Sequence, residues 1–171
     1  MLRQNLGLTL DEVAKEAGCS VSLLSKLEND KAFPSAGMLI RIAKTLGTSI
    51  QSIIEDEGGN SAQDVIVTPK EKAEQSLIKT EKGFGIFPYS VNQKDGRFQV
   101  FLYSVEKGDV RAHSESHEGK EFLFMIEGTL CIRVGDKKYT LKTGDSIHFS
   151  STSSHECIPI SDSAKYLIVL A

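Results

Sequence analysis

Thr9-Leu10-Asp11-Glu12-Val13-Ala14-Lys15-Glu16-Ala17-Gly18-Cys19-Ser20-Val21-Ser22-Leu23-Leu24-Ser25-Lys26-Leu27-Glu28 is the stretch that decides how the chain begins to fold. Thr9 and Glu12 stand at capping-box spacing: the hydroxyl accepts from the third helical amide while the carboxylate reaches back to the cap, so a helix starts at Leu10. Leu10, Val13, Ala14 and Ala17 give that helix one apolar face. Gly18 fits the left-handed position that ends a helix. Cys19 bridges, and Ser20 caps a second helix over 21–28. Two helices joined by so short a turn cross steeply, which is helix-turn-helix geometry, with the second helix offering its N-terminal side chains to the major groove. Downstream, Pro34-Ser35 opens a third helical segment carrying Leu39, Ile42, Ala43 and Leu46 and closed by Gly47. Ser49 caps a last one with Ile50, Ile53 and Ile54.

Residues 55–65 contain Glu55, Asp56, Glu57, Gly58, Gly59 and Asp64 without apolar periodicity, and read as an acidic flexible linker. The chain therefore divides into an all-α segment over 1–54 and a second segment over 66–171. In the second, strand-length runs rich in Val, Ile, Phe and Tyr are expected at 98–105, 121–126, 129–134, 138–141, 146–149 and 166–170. Glu127-Gly128 and Gly135-Asp136 read as hairpin turns, and their close spacing favours a sandwich or barrel. Phe122, Phe124 and Phe149 read as core.

Composition narrows the function classes. The 171 residues are 40% hydrophobic and 25% charged, an ordinary globular balance. No apolar run approaches the roughly 18 residues of a membrane span, and no secretory leader pattern opens the chain, so a cytoplasmic protein without membrane contact is expected. Cys19, Cys131 and Cys157 are odd in number and form no CxxC pair, so reduced thiols are expected rather than a disulfide framework or zinc knuckle. Net charge is -3 overall, but residues 1–54 hold six Lys/Arg against five Asp/Glu, net +1. A DNA contact would rest on a few local cations and many neutral donors rather than a broad basic field.

The order Gly7-Leu8-Thr9-Leu10, Glu12-Val13-Ala14, Gly18, Ser20, Ser22, Leu24-Ser25 and Glu28, followed by Pro34-Ser35 and Leu39, Ile42-Ala43 and Leu46-Gly47, resembles the Xre-type (phage-repressor-like) helix-turn-helix domain. The resemblance implies that Val21, Ser22, Ser25 and Lys26 approach base edges, while Thr9, Asn29 and Lys31 approach phosphates, with Ser20 also among the DNA-binding residues. Leu24 and Leu27 look inward. One departure is plain: the family's first helix has about three turns, and Met1-Leu2-Arg3-Gln4 leaves only its last.

In the second segment, His113-Ser114-Glu115-Ser116-His117-Glu118-Gly119-Lys120-Glu121 runs into Phe122 to Gly128, with Gly144 and His155 downstream. On a regular strand His113, Glu115 and His117 share one face. This pattern resembles the cupin fold, an all-β double-stranded barrel. The family's first motif carries His-x-His, then Glu and Gly; here His117, Glu121, Gly128 and His155 fall in place, while Glu115 occupies the first His position. In the second motif Ser150, Thr152 and Pro159 replace the usual Pro, Gly and Asn. The resemblance implies Glu115, His117, Glu121 and His155 as ligands for a divalent transition metal, Zn, Mn, Fe or Ni. His113 is a substitute if the strand bulges. Cys157 reads either as a soft donor facing the same cavity or as a small apolar core residue, and His148 as a surface or internally satisfied histidine rather than a ligand.

A DNA reader tied to a small-molecule barrel describes a ligand-responsive transcriptional regulator. It would act as a homodimer on a double-stranded DNA operator and answer to a small polar metabolite, with Lys120 and Arg133 as cations at the barrel mouth. The alternative is a metal-dependent cupin enzyme, a dioxygenase or isomerase, with a helical accessory domain. An adaptor using the helical part without ligand is a third class.

Overall fold

A computed structural model describes residues 2–29, 34, 36–48, 53, 65–89, 98–111 and 113–171. The chain forms two compact units, Met1–Ala62 and Gln63–Ala171, and each is described by itself.

The first unit contains α1 (Leu2–Asn5), α2 (Leu10–Ala17), α3 (Val21–Glu28) and α4 (Ala36–Thr45). The capping box forms as expected: Thr9 Oγ1 accepts from Glu12 N–H at 3.2 Å, and Glu12 Oε2 accepts from Thr9 N–H at 2.7 Å. Donation from Thr9 N–H, and from the Thr9 hydroxyl at 2.7 Å to the same oxygen, holds the Glu12 carboxyl below its usual range. Gly18, at φ 65°, lets Cys19 N–H reach back to Ala14 O at 2.9 Å, and Ser20 Oγ caps α3 through Leu23 N–H at 3.1 Å. Val13, Ala14, Ala17, Leu24 and Ile42 form the core, with Leu27 and Leu46 packed against it. The small side chains on α2 let its neighbours approach closely.

The helix α1 is tied down by one residue. Arg3 donates to both carboxylate oxygens of Glu28, at 2.6 and 2.9 Å, and to Leu8 O at 2.6 Å, which fastens α1 and the following turn to the end of α3. Their side chains are only 12% and 17% exposed. Arg41 donates to Ala17 O at 3.0 Å and so satisfies a carbonyl at the end of α2. The helix expected after Ser49, the linker and Lys31 lie outside the described residues, Ile53 and Val65 excepted.

The second unit opens with α5 (Lys70–Gln75) and β1 (Ile78–Lys79), followed by β2 (Gly85–Tyr89), β3 (Gln99–Glu106), β4 (Lys120–Val134), β5 (Lys137–Lys142), β6 (Ser146–Ser150) and β7 (His155–Leu170). The antiparallel order is β1-β2-β3-β7-β4-β5, with β6 also on β4. Two long strands organise it. β4 pairs with the end of β7 through Glu121↔Leu170 to Gly128↔Ala164, and with its start through Leu130↔Pro159 to Val134↔His155. Glu127-Gly128, expected to be a hairpin turn, is instead a pair of register shifts within one continuous strand. Gly128 sits at φ 84°, where a Cβ would stand 2.3 Å from Ser163 O, so the bend admits only glycine. The Gly135-Asp136 turn joins β4 to β5 as expected. The second half of β7 was legible as a strand and its first half was not.

Registers place Ile86, Tyr103, Tyr166 and Met125 in one inward row, with Phe101, Ile168 and Leu123 in the next. The opposite face carries Tyr89-Val100-Val169-Phe122-His148 and Phe87-Leu102-Leu167-Phe124-Ser146. Phe122 and Phe124 were expected in the core; they are 39% and 40% exposed, because the strand's alternation gives the inside to Glu121, Leu123 and Met125.

Thr9→Ala removes the side-chain acceptor at the start of α2. It should lower stability by about 1 kcal/mol, read as a shift of the urea midpoint with the slope unchanged; an unshifted midpoint would leave the capping argument without force.

Candidate functional site

His117, Glu121 and His155 converge inside the barrel. One ligand atom of each lies within 4.8 Å of the others, and the three side chains are almost fully buried. Glu121 is placed by the first inward position of β4 and His155 by the start of β7. His117 sits on the segment before β4, which Ser151 O holds by accepting His117 N–H at 2.9 Å.

Hydrogen bonds fix both tautomers. His117 Nδ1 lies 3.0 Å from Glu118 O, and His155 Nδ1 lies 2.9 Å from Ser153 O. A carbonyl only accepts, so each Nδ1 carries a proton and donates it. The two Nε2 atoms then face the same oxygen, Glu121 Oε1, at 2.7 and 3.1 Å. Lone pairs cannot face a carboxylate unaided: each Nε2 either takes a second proton or gives its lone pair to a cation. Burial works against the charged form of both imidazoles, but the Glu121 carboxylate outweighs it and raises both above their ordinary value. Burial likewise pushes the Glu121 carboxyl up, and the two imidazole hydrogen bonds overcome that and leave it at about 2.

Two imidazole nitrogens and one carboxylate, each oriented from behind, are a donor set that suits a divalent transition metal. The residues fit one: His117, Glu121 and His155 would hold it. Glu115 lies alongside without joining that group. It exchanges backbone hydrogen bonds with His155, N to O at 2.9 Å in both directions, and its charge helps raise the His155 value. The segment over 113–118 is not the regular strand expected; Glu115 makes a single bridge there. His113 faces elsewhere, its Nδ1 on Arg111 O at 3.0 Å and its Nε2 accepting Cys157 N–H at 3.3 Å. Arg133 is paired with Glu156 on the adjacent strand rather than standing as an open cation. His148 is exposed.

Beside the triad, Cys157 shares the inward face of β7 with His155. Burial pushes its thiol far up, so it is inert as a thiolate. It lies against the hydroxyl of Tyr166, whose ring stacks on Tyr103 at 5.3 Å and which has no well-formed hydrogen bond. Neither this pair nor the carbonyls of Glu118 and Ser153 was found from sequence. A tyrosine inside an apolar strand looks like packing, and a main-chain acceptor leaves no mark on residue type.

On the first unit, Val21, Ser22 and Lys26 are exposed and Ser25 is half-buried on one side of α3, opposite the buried Leu24. Asn29, exposed at the end of α3, donates from Nδ2 to Ser25 O at 2.6 Å. Thr9 and Ser20 are exposed but already engaged as caps. Of these side chains Lys26 alone is charged, Val21 is apolar, and the Ser, Thr and Asn side chains are neutral donors and acceptors.

Residues 101–170 match the family model described as a cupin domain, and residues 1–53 match the one described as helix-turn-helix. The chain is similar to the HTH-type transcriptional regulator SutR of Escherichia coli (strain K12), 24% identical over 155 residues covering 90% of this chain and 80% of the relative. It is similar to the HTH-type transcriptional regulator PuuR of the same organism, 21% identical over 168 residues covering 94% and 89%. Among solved structures, an HTH_3 family transcriptional regulator from Vibrio cholerae superposes with a TM-score of 0.68 at 18% identity, covering 99% of this chain and 90% of that one. Hydroxypropylphosphonic acid epoxidase from S. wedmorenis gives 0.54 at 23% identity, covering 99% and 93%. At these identities the structural likeness is one of fold.

Two outcomes follow for the barrel. In chelator, Glu121 contributes stability that is complete above its ordinary 4.5 and is lost as pH falls toward about 2. The raised imidazoles contribute stability that is complete below 6.5 and is lost as pH rises through their folded values. The cluster therefore stabilises most between 4.5 and 6.5, and saturating Zn should extend that plateau to neutral pH and above by replacing the two Nε2 protons. Thermal melts across pH with and without metal check this; metal-free melting that keeps rising beyond pH 7.5 or so would contradict it. Separately, Tyr166→Phe deletes a buried hydroxyl without a good partner and should leave stability unchanged or higher; a loss above about 1 kcal/mol would mean that the thiol contact matters.

Proposed function

We propose that this chain, which carries an Xre-type helix-turn-helix domain followed by a cupin domain, is a sequence-specific DNA-binding transcriptional regulator whose barrel senses a small polar metabolite. The observation that carries the DNA reading is the capped α2–turn–α3 unit with Val21, Ser22, Ser25 and Lys26 on its open side. Likeness over nearly the whole chain to proteins named as transcriptional regulators supports it. Val21, Ser22, Ser25 and Lys26 read bases, Thr9, Asn29 and Lys31 hold phosphates, and Ser20 lies at the same DNA-binding surface. With only net +1 over residues 1–54, one copy grips weakly, and the working form is a homodimer on a two-fold operator with half-sites roughly 34 Å apart.

In the barrel, His117, Glu121 and His155 hold a divalent transition metal, while Glu115, expected as a fourth ligand, lies beside them outside the group. Such an ion supplies a Lewis-acidic anchor for oxygen or nitrogen groups of the metabolite. The effector acts through unequal affinity for the DNA-bound and free states. The protein works in the cytoplasm, and among the described residues no helix is long and apolar enough to cross a membrane.

A second reading, a metal-dependent cupin enzyme with a helical accessory domain, is favoured by one observation. The two-histidine, one-carboxylate set belongs to a barrel shaped like that of an epoxidase. Stoichiometric metal with turnover of a small substrate and no enriched DNA motif would decide for it.

A selection from random duplex DNA with the full chain tests the regulator. It should return an inverted repeat. Ser22→Ala should change preference at individual base pairs, whereas Lys31→Ala should weaken all sequences alike and lower the salt dependence by about one phosphate contact. No enriched motif would end the reading. Elemental analysis of protein purified without chelator should find up to one transition metal per chain, lost in His117→Ala; wild-type metal content in that variant would remove the triad from the proposal.

A further inference from the structure

Beside the triad the inner wall changes character along β6. Glu121 is paired with Phe149 and Leu123 with Ile147, and residues directly opposite in an antiparallel pair share a face, so Phe149 and Ile147 point inward with their partners. Yet the β4 residues are closed off, Glu121 at 4% and Leu123 at 0% exposure, whereas Phe149 and Ile147 are only half-buried. The interior is therefore open to solvent on the β6 side, and the two inward side chains there are apolar. The ring centroid of Phe149 lies 5.2 Å from that of His155, so this lip adjoins the donor atoms themselves. Charge is equally one-sided. Among the described residues, no inward position of β4, β6 or β7 carries Lys or Arg. Lys120, expected as a cation at the mouth, alternates with Glu121 and faces outward, and Arg133 is paired with Glu156.

We propose that the guest of this pocket is a small monocarboxylate with a compact apolar chain, its carboxylate on the ion held by His117, Glu121 and His155 and its chain against Phe149 and Ile147. The inference rests on the metal reading above and names the chemistry of the metabolite, which is polar at one end only. Three protein donors leave a divalent transition ion with positions for such a guest. A dication beside the Glu121 carboxylate keeps one positive charge, and a single carboxylate balances it. Glu115 lies at the side, close enough for its charge to act on His155, and weighs against a second acid on the guest. An ammonium group would meet the charge of the ion. A second charged group placed farther along the wall would lose its water and find no opposite charge there. The chain is a different matter: Phe149 and Ile147 hold apolar surface open to solvent, and each methylene that leaves water to cover it tightens binding about fourfold.

The full chain loaded with Co(II), whose visible absorption responds to a change of ligand, tests this by titration with acetate, butyrate and succinate at one pH. Butyrate, two methylenes longer than acetate, should bind about 15-fold more tightly. Succinate, which has the four carbons of butyrate and a second carboxylate, should bind no more tightly than acetate. Phe149→Ser should lower the butyrate-to-acetate ratio about fourfold, and Ile147→Ser should move it the same way, which covers the case in which the first variant fails to fold. A general weakening of the metal site would leave that ratio unmoved. Equal affinities for butyrate and acetate, succinate matching butyrate, or a wild-type ratio in the folded variants overturns the proposal. Wild type that takes up no Co(II) overturns it together with the metal reading, whereas uptake with equal affinities across the series overturns it alone. A butyrate preference in a protein that selects no DNA motif would remove the regulator and leave the pocket chemistry standing.

Discussion

The barrel depends on one pairing, that of β4 with β7 along both of their halves. Both strands run through the register shifts around Gly128, so that one strand pair extends through the whole sheet. That pairing sets Glu121, at the start of β4, across the interior from His155, at the start of β7. It also brings Tyr166 and Cys157, nine residues apart on one strand, against each other. The convergence of the triad is thus a property of two strand lengths and one glycine, with the segment bearing His117 laced on afterwards.

In the described part of the helical unit the helix boundaries were legible, because their punctuation is chemical: Thr9 with Glu12, Gly18 and Ser20 each satisfy a backbone group at a helix end. What the residues did not announce was Arg3. Its role depends on Glu28, 25 positions away, and no local pattern joins them. In the barrel, strand positions were legible and continuity was not. Glu127-Gly128 carries the residues of a turn, and only the pairing of both flanks with β7 distinguishes a bulge from a hairpin. The first half of β7 reads Ile158-Pro159-Ile160-Ser161-Asp162-Ser163, whose Pro, Asp and serines mask its alternation. Phe122 and Phe124 misled for a different reason: hydrophobicity reports that a side chain is better covered, not on which face of the strand it falls.

The two units use polar groups in opposite ways. On α3 neutral side chains stay open to solvent and keep their hydrogen-bonding capacity for another molecule. Inside the barrel polar groups are spent on one another, and the shared carboxylate of Glu121 concentrates the electrostatic stress. Such a cluster is costly to bury unless each lone pair is answered. A protein that retains it has either protons or a cation to complete it.

The histidines of the triad are steered by carbonyls of the main chain, Glu118 O and Ser153 O, and not by side chains. A peptide carbonyl survives every substitution that keeps the backbone path. The ring orientations are therefore insulated from mutation in the loops that set them, and the residues around the pocket are free to diversify while the donors stay aimed. This explains how Glu115, Ser150 and Thr152 can depart from the usual cupin pattern with the convergence of His117, Glu121 and His155 undisturbed. Lineages built this way would change what the pocket accepts faster than they lose the capacity to bind.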